Sequence, residues 1–112
     1  MTRAGAALLA LALWAAAAPA SAGVAGSWYL SRARANARIA NRASAIEAYR
    51  KALEANPSSR EASRGLGLEL LRNGETDHAV AAFDRHLARF PDDREIAFEQ
   101  ARLLQWSRYA YR

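Results

Sequence analysis

An all-α fold is predicted for this chain, built of antiparallel helix–turn–helix repeats stacked into a short α-solenoid. Three observations predict it. The sequence aligns with itself at a shift of 34 residues, its apolar positions recur at helical spacing, and a proline closes each matched helix. At that shift Ala45 meets Ala79, Ile46 meets Val80, Ala48 meets Ala82, Tyr49 meets Phe83, Leu53 meets Leu87 and Pro57 meets Pro91. A further step pairs Arg60 with Arg94, Glu61 with Glu95, Gly67 with Ala101 and Leu70 with Leu104. No segment alternates apolar and polar residues for long enough to suggest a strand.

The first element is an address. Met1-Thr2-Arg3 is a positive start, Ala4 to Ala18 carries no polar side chain, and Ala20-Ser21-Ala22 supplies small residues before Gly23. These are the parts of a secretory signal peptide, and the apolar run is shorter than the ~20 residues of a spanning helix. Residues 1–22 are therefore expected to be a cleaved signal and 23–112 the repeat domain, exported to the periplasm or secreted. An uncleaved membrane anchor extending to Leu30 would have to bridge Pro19, Ser21, Gly23, Gly26 and Ser27. The domain divides into units at about 26–59 and 60–93 and a partial unit at 94–112.

Helices are expected at about 27–41, 43–55, 59–73, 77–89 and 93–108. Ala45, Tyr49, Ala52 and Leu53 form one apolar stripe, repeated by Ala79, Phe83 and Leu87. Pro57 and Pro91 stop the helices before them. Ser58 with Glu61, and Asp92 with Glu95, have capping-box spacing, while Asn73-Gly74 suits a left-handed stop and Thr76 an N-cap. Gly67, Ala101, Ala45 and Ala79 are placed where helices approach closely, with Tyr49 and Phe83 filling the space between repeats.

Leu66-Gly67, Leu70 and Gly74, then Ala79, Phe83 and Pro91, resemble a tetratricopeptide repeat, and the preceding unit keeps Ala45, Tyr49, Ala52 and Pro57. That resemblance implies a right-handed solenoid whose first helices line an inner surface, a protein-binding role and no cofactor. Two departures stand out. His86 replaces a small residue, and Ser63 occupies a place where a large aromatic is common. The helix near Ser27 to Asn41 fits the pattern poorly and suits a capping element. Trp106-Ser107 resembles the first helix of repeats in exported bacterial proteins with periplasmic arrays. The third unit stops after 19 residues, so a longer array, a cap, or a partner packed on Trp106, Tyr109 and Tyr111 are the alternatives.

Chemistry finds little foothold in the sequence. The 112 residues contain no cysteine, which removes disulfides, thiol nucleophiles and cysteine-ligated zinc. His78 and His86 lie about 12 Å apart along one predicted helix, too far to share a metal, and are expected to be solvent-facing or half-buried. Asp92-Asp93 sits at a helix start, where acids cap. Gly65-x-Gly67 lies inside a helix and lacks the context of a phosphate loop. No enzyme, metal or cofactor is expected.

The signal for binding is charge. Arg32, Arg34, Arg38 and Arg42 occur where Gly23 to Ile46 contains no acid, and Arg34, Arg38 and Arg42 keep i, i+4, i+8 spacing. The resemblance places Arg64, Phe98 and Arg102 on the same inner side. Arg34, Arg38, Arg42, Arg64, Phe98 and Arg102 form the candidate partner-binding set, against the plainer alternative of a solvated helix face. A protein or peptide of acidic character, or an anionic polysaccharide, suits an exported chain better than nucleic acid, because no aromatic–basic interleaving would stack bases. Membrane contact is expected only through the signal segment, residues 1–22, before its cleavage. The expected function is a non-enzymatic interaction scaffold of the bacterial cell envelope. The alternative is the N-terminal periplasmic part of a larger polysaccharide-export or outer-membrane assembly protein.

Overall fold

The computed structural model describes residues 23–110, so the leader at 1–22 and the side chains of Tyr109 and Tyr111 lie outside the described residues. Five helices follow one another: α1 over 23–38, α2 Arg42–Ala55, α3 Arg60–Arg72, α4 Thr76–Arg89 and α5 Arg94–Ala110. No strand occurs among the described residues. Successive helices pack on one another, α2 on α3, α3 on α4 and α4 on α5.

Both proline loops are built alike, 34 residues apart. The N–H of Asn56 bonds to Ala52 O and that of Ser59 to Asn56 O; Phe90 and Asp93 bond in the same way to His86 O and Phe90 O. Each loop ends in an N-cap. The Ser59 hydroxyl accepts from Ala62 N–H at 3.2 Å, and the Asp93 carboxylate accepts from Ile96 N–H at 3.3 Å. The caps thus fall one residue later than the expected Ser58 and Asp92. Glu61 and Glu95, free of capping duty, turn to arginines on neighbouring helices. Thr76 is not a cap either: the position before α4 is Glu75, with no side-chain cap bond. Gly74 does take the left-handed stop, at φ 79°. Gly74 N–H bonds Leu71 O and Glu75 N–H bonds Leu70 O, closing the end of α3.

The expected 27–41 helix is displaced toward the N-terminus. It already includes Gly23 and ends at Arg38, because Asn36 O and Ala37 O are taken by the N–H groups of Asn41 and Ala40. α1 is nonetheless integral to the stack: Ala33 is fully buried, and Tyr29 and Leu30 pack against the core.

The core is a row of aromatic rings seated on small residues. A Cβ added at Gly67 would overlap the Phe83 ring, and one at Gly65 would overlap the Tyr49 ring. Residues two apart point to different sides of a helix, so α3 accepts one ring from α2 and another from α4. Gly65 was not anticipated as a ring seat. Gly67→Ala gains up to about 1 kcal/mol in helix propensity but forces an overpacked ring, costing about 1–3 kcal/mol. The expected net result is a lower midpoint in urea unfolding, and a raised midpoint contradicts the seat.

Candidate functional site

Of the candidate arginines, Arg34 and Arg38 lie on α1, Arg42 on α2, Arg64 on α3 and Arg102 on α5, and Arg34, Arg42 and Arg64 are held by acids from elsewhere in the stack. Arg34 binds both oxygens of the Glu61 carboxylate. Arg60 reaches Asp92 at 3.1 Å, and Arg64 reaches Asp93 at 3.3 Å and also Glu95. Arg102 pairs within its own helix with Glu99 at 3.0 Å. Arg38 is exposed, with no ion pair among the described residues, and Phe98 is 66% exposed between the Arg64–Glu95 and Arg102–Glu99 pairs.

Two corrections follow for the cationic row. Arg34, Arg38 and Arg42 do not share one helix, because α1 ends at Arg38 and Arg42 is the first residue of α2. Nor is the row unopposed. Its acids come from α3, 27 residues on in each case: Glu61 for Arg34 and the buried Glu69 for Arg42 at 2.8 Å. Arg72 holds the other Glu69 oxygen at 2.8 Å. Glu69 therefore ties the start of α2 to the end of α3 with its charge matched, the condition under which a buried carboxylate is tolerated.

Next to this face lies a buried polar cluster. His86 is fully enclosed, contrary to the expected solvent-facing or half-buried position. Its Nδ1 lies 2.8 Å from the Ser63 hydroxyl and its Nε2 lies 2.7 Å from Asp93 Oδ2. Arg64 joins Asp93 from outside, where a shallow depression is lined by Arg60, Glu61, Arg64 and Asp93. Serine, histidine and aspartate in hydrogen-bonding sequence are also the components of a nucleophilic triad. Here all three members are buried, the Ser63 hydroxyl included, and they link helices of the stack. The cluster joins α3, α4 and the N-cap of α5, and no buried side-chain polar atom among the described residues lacks a partner.

The 34-residue recurrence of caps and loops is matched by the family comparison. The tetratricopeptide repeat model matches residues 30–94 and, starting 34 further on, 64–104. The chain belongs to the tetratricopeptide repeat family. No curated protein matches it. Tetratricopeptide repeats are protein-interaction units, generally without catalytic activity, and typically bind proteins or peptides. Within the tetratricopeptide pattern, the two departures are in contact. Ser63 on α3 meets His86 from α4, which also holds Asp93. Each residue was visible alone in the sequence; that they touch required the pairing of α3 with α4.

Several carboxylates of these repeats carry acid sensitivity. Burial pushes the Asp93 carboxyl up, but hydrogen bonds from His86 and the Ile96 N–H, with attraction to Arg64, hold it below the usual range. The hydrogen bond from Arg34 lowers Glu61 against a smaller burial effect, and the Asn73 amide does the same for Glu75. Groups whose folded values are depressed stabilise the fold above the ordinary carboxylate range and lose that contribution as pH falls through the folded values. The melting temperature should therefore fall progressively below about pH 4. Asp93→Asn should flatten that fall, and an unchanged pH profile in this variant contradicts the arrangement.

Proposed function

We propose that this chain is a non-enzymatic scaffold whose first-helix face, along α1, α3 and α5, binds a protein or peptide segment in the bacterial cell envelope. The observation that carries the proposal is Phe98, a large aromatic exposed on a helix that buries Ile96 two residues away. An exposed ring flanked by ion pairs offers an apolar anchor with a polar rim, the pattern of an interaction hot spot. Arg38 supplies a cation for an acidic side chain of the segment. Residues 1–22, with their signal-peptide pattern, support the envelope location.

The ion pairs decide which substitutions test this. Arg34, Arg42 and Arg64 hold acids of the stack, so altering them disturbs the fold as well as the surface. Phe98→Ala with Arg38→Ala leaves those pairs in place. Partner recovery from an envelope extract, by affinity capture of the full chain, should drop about tenfold or more, the effect of losing roughly 1.4 kcal/mol or more of binding energy. Recovery unchanged in this double variant, with unchanged thermal unfolding, removes the face from consideration. Raised salt should weaken capture if acidic residues meet Arg38.

A second reading is favoured by α5, whose Leu104 and Trp106 are exposed. In it, these repeats form the N-terminal periplasmic part of a larger polysaccharide-export or outer-membrane assembly protein, and further helices cover that side. Genomic sequence following the codon for Arg112 separates the two: further 34-residue units in frame support it, and a stop codon there removes it.

A further inference from the structure

α1 is apolar on two sides, and the stack covers only one. Ala33, with Leu30 and Tyr29 beside it, faces the core. Along the other side run Val24, Trp28 and Ala35, with Ile39 just past the helix end, at i, i+4, i+11 and i+15. Val24 and Ile39 are each 73% exposed and Trp28 is 55% exposed. Arg32 completes the row, its guanidinium 4.9 Å from the centre of the Trp28 ring. Trp28 meets Tyr29 edge to face at 5.0 Å, and Lys51 of α2 stands 5.8 Å over the Tyr29 ring. Trp28, Tyr29, Arg32, Asn36, Glu47 and Lys51 line an open groove along this edge.

We propose that this outer edge of α1, with Lys51 of α2, lies flat against an anionic lipid surface. Three features select that occupant. The apolar run Ala4 to Ala18, with its signal-peptide pattern, stands just before α1 in the sequence and directs the chain to a membrane before cleavage. The first acid of the whole sequence, Glu47, lies on α2 in the same groove and stands 3.9 Å from Lys51, so the unmatched charge of this edge rests on its arginines. Two of those arginines, Arg32 and Arg38, have no ion pair among the described residues, whereas Arg34 and Arg42 are turned to Glu61 and Glu69 on α3. Finally, a helix lying in the interface needs an apolar strip, basic flanks and indole or phenol rings at headgroup depth, and α1 has all three on its uncovered side. Arg38 borders both this edge and the first-helix face, whereas Arg32 stands beside Trp28 and Phe98 lies on α5, so Arg32→Glu alone tests the lipid contact and Phe98→Ala alone tests the peptide contact.

The test uses the full chain and Trp28 fluorescence, with Trp14→Phe and Trp106→Phe removing the other two tryptophans. Vesicles of phosphatidylcholine with phosphatidylglycerol should blue-shift Trp28, and lipids brominated near the headgroup should quench it. Phosphatidylcholine alone should give a markedly smaller response. Arg32→Glu alone should weaken the blue shift, and with Arg38→Glu abolish it, while circular dichroism stays helical. Should that pair fail to fold, Arg32→Gln with Arg38→Gln should weaken binding severalfold. Four outcomes overturn the proposal. Trp28 stays silent while Trp14, monitored with Trp28→Phe and Trp106→Phe, responds, which confines lipid contact to the leader. Neutral and anionic vesicles act equally. Trp28 shifts with protein concentration in buffer, which makes the occupant a second copy. Soluble polyglutamate shifts Trp28 where vesicles do not, which makes it an acidic protein.

Discussion

Phe83→Ala should lower the unfolding free energy by about 3–5 kcal/mol, the cost of a large buried cavity. Phe83 is fully buried, and its ring lies directly on Gly67 of α3. Collapse around the vacancy is hindered, because Gly67 has no side chain to move into it and Ala79, Ala82 and Leu66 are themselves packed. For a domain of this size the loss corresponds to a melting temperature lower by roughly 15 °C or more. It should appear in every spectroscopic probe at once, since α3, which seats Phe83, is also the seat of Tyr49. An unchanged melting temperature would sink the ring-on-glycine account of the stack.

His86→Ala should cost about 2–4 kcal/mol, from a cavity and from leaving the Ser63 hydroxyl and one Asp93 oxygen short of a partner. The instructive variant is the double one. If His86 fills room that an aromatic at 63 would otherwise take, then His86→Ala with Ser63→Trp should recover a substantial part of the loss. Ser63→Trp alone should be strongly destabilising against the intact imidazole. Such opposite outcomes for one substitution in two backgrounds measure a direct coupling. Additive effects in chemical unfolding would show that the departures are independent. Asp93 should feel the change too: without His86 it keeps Arg64 and the Ile96 N–H, so its acid response weakens and does not vanish.

The polar residues mark where sequence and structure part. Period, helix number and the ring positions Tyr49 and Phe83 were legible because helical apolar spacing and a 34-residue recurrence are one-dimensional signals. Gly67 was legible through its place in the pattern. Gly65 was not, since its ring comes from the preceding unit. The arginine row misled for a related reason. Counting acids between Gly23 and Ile46 measures charge along the chain, whereas Arg34 and Arg42 meet acids 27 residues away. Capping spacings named the correct loops but were off by one residue, because tandem Ser58-Ser59 and Asp92-Asp93 each offer two candidates and only backbone torsion chooses between them.

By itself, then, the sequence determined that this protein is a stack of paired helices with proline-closed loops, because burying a repeated apolar stripe requires a similar neighbour at each period. Tertiary structure alone decided which charges are spoken for, which histidine is enclosed, and which side of α1 and α5 stays open. Those depend on residues distant in sequence that packing brings within a hydrogen bond or an ion pair. Arg34, Arg42, Ser63, His86 and Asp93 were each plain in the sequence. Their partners were not.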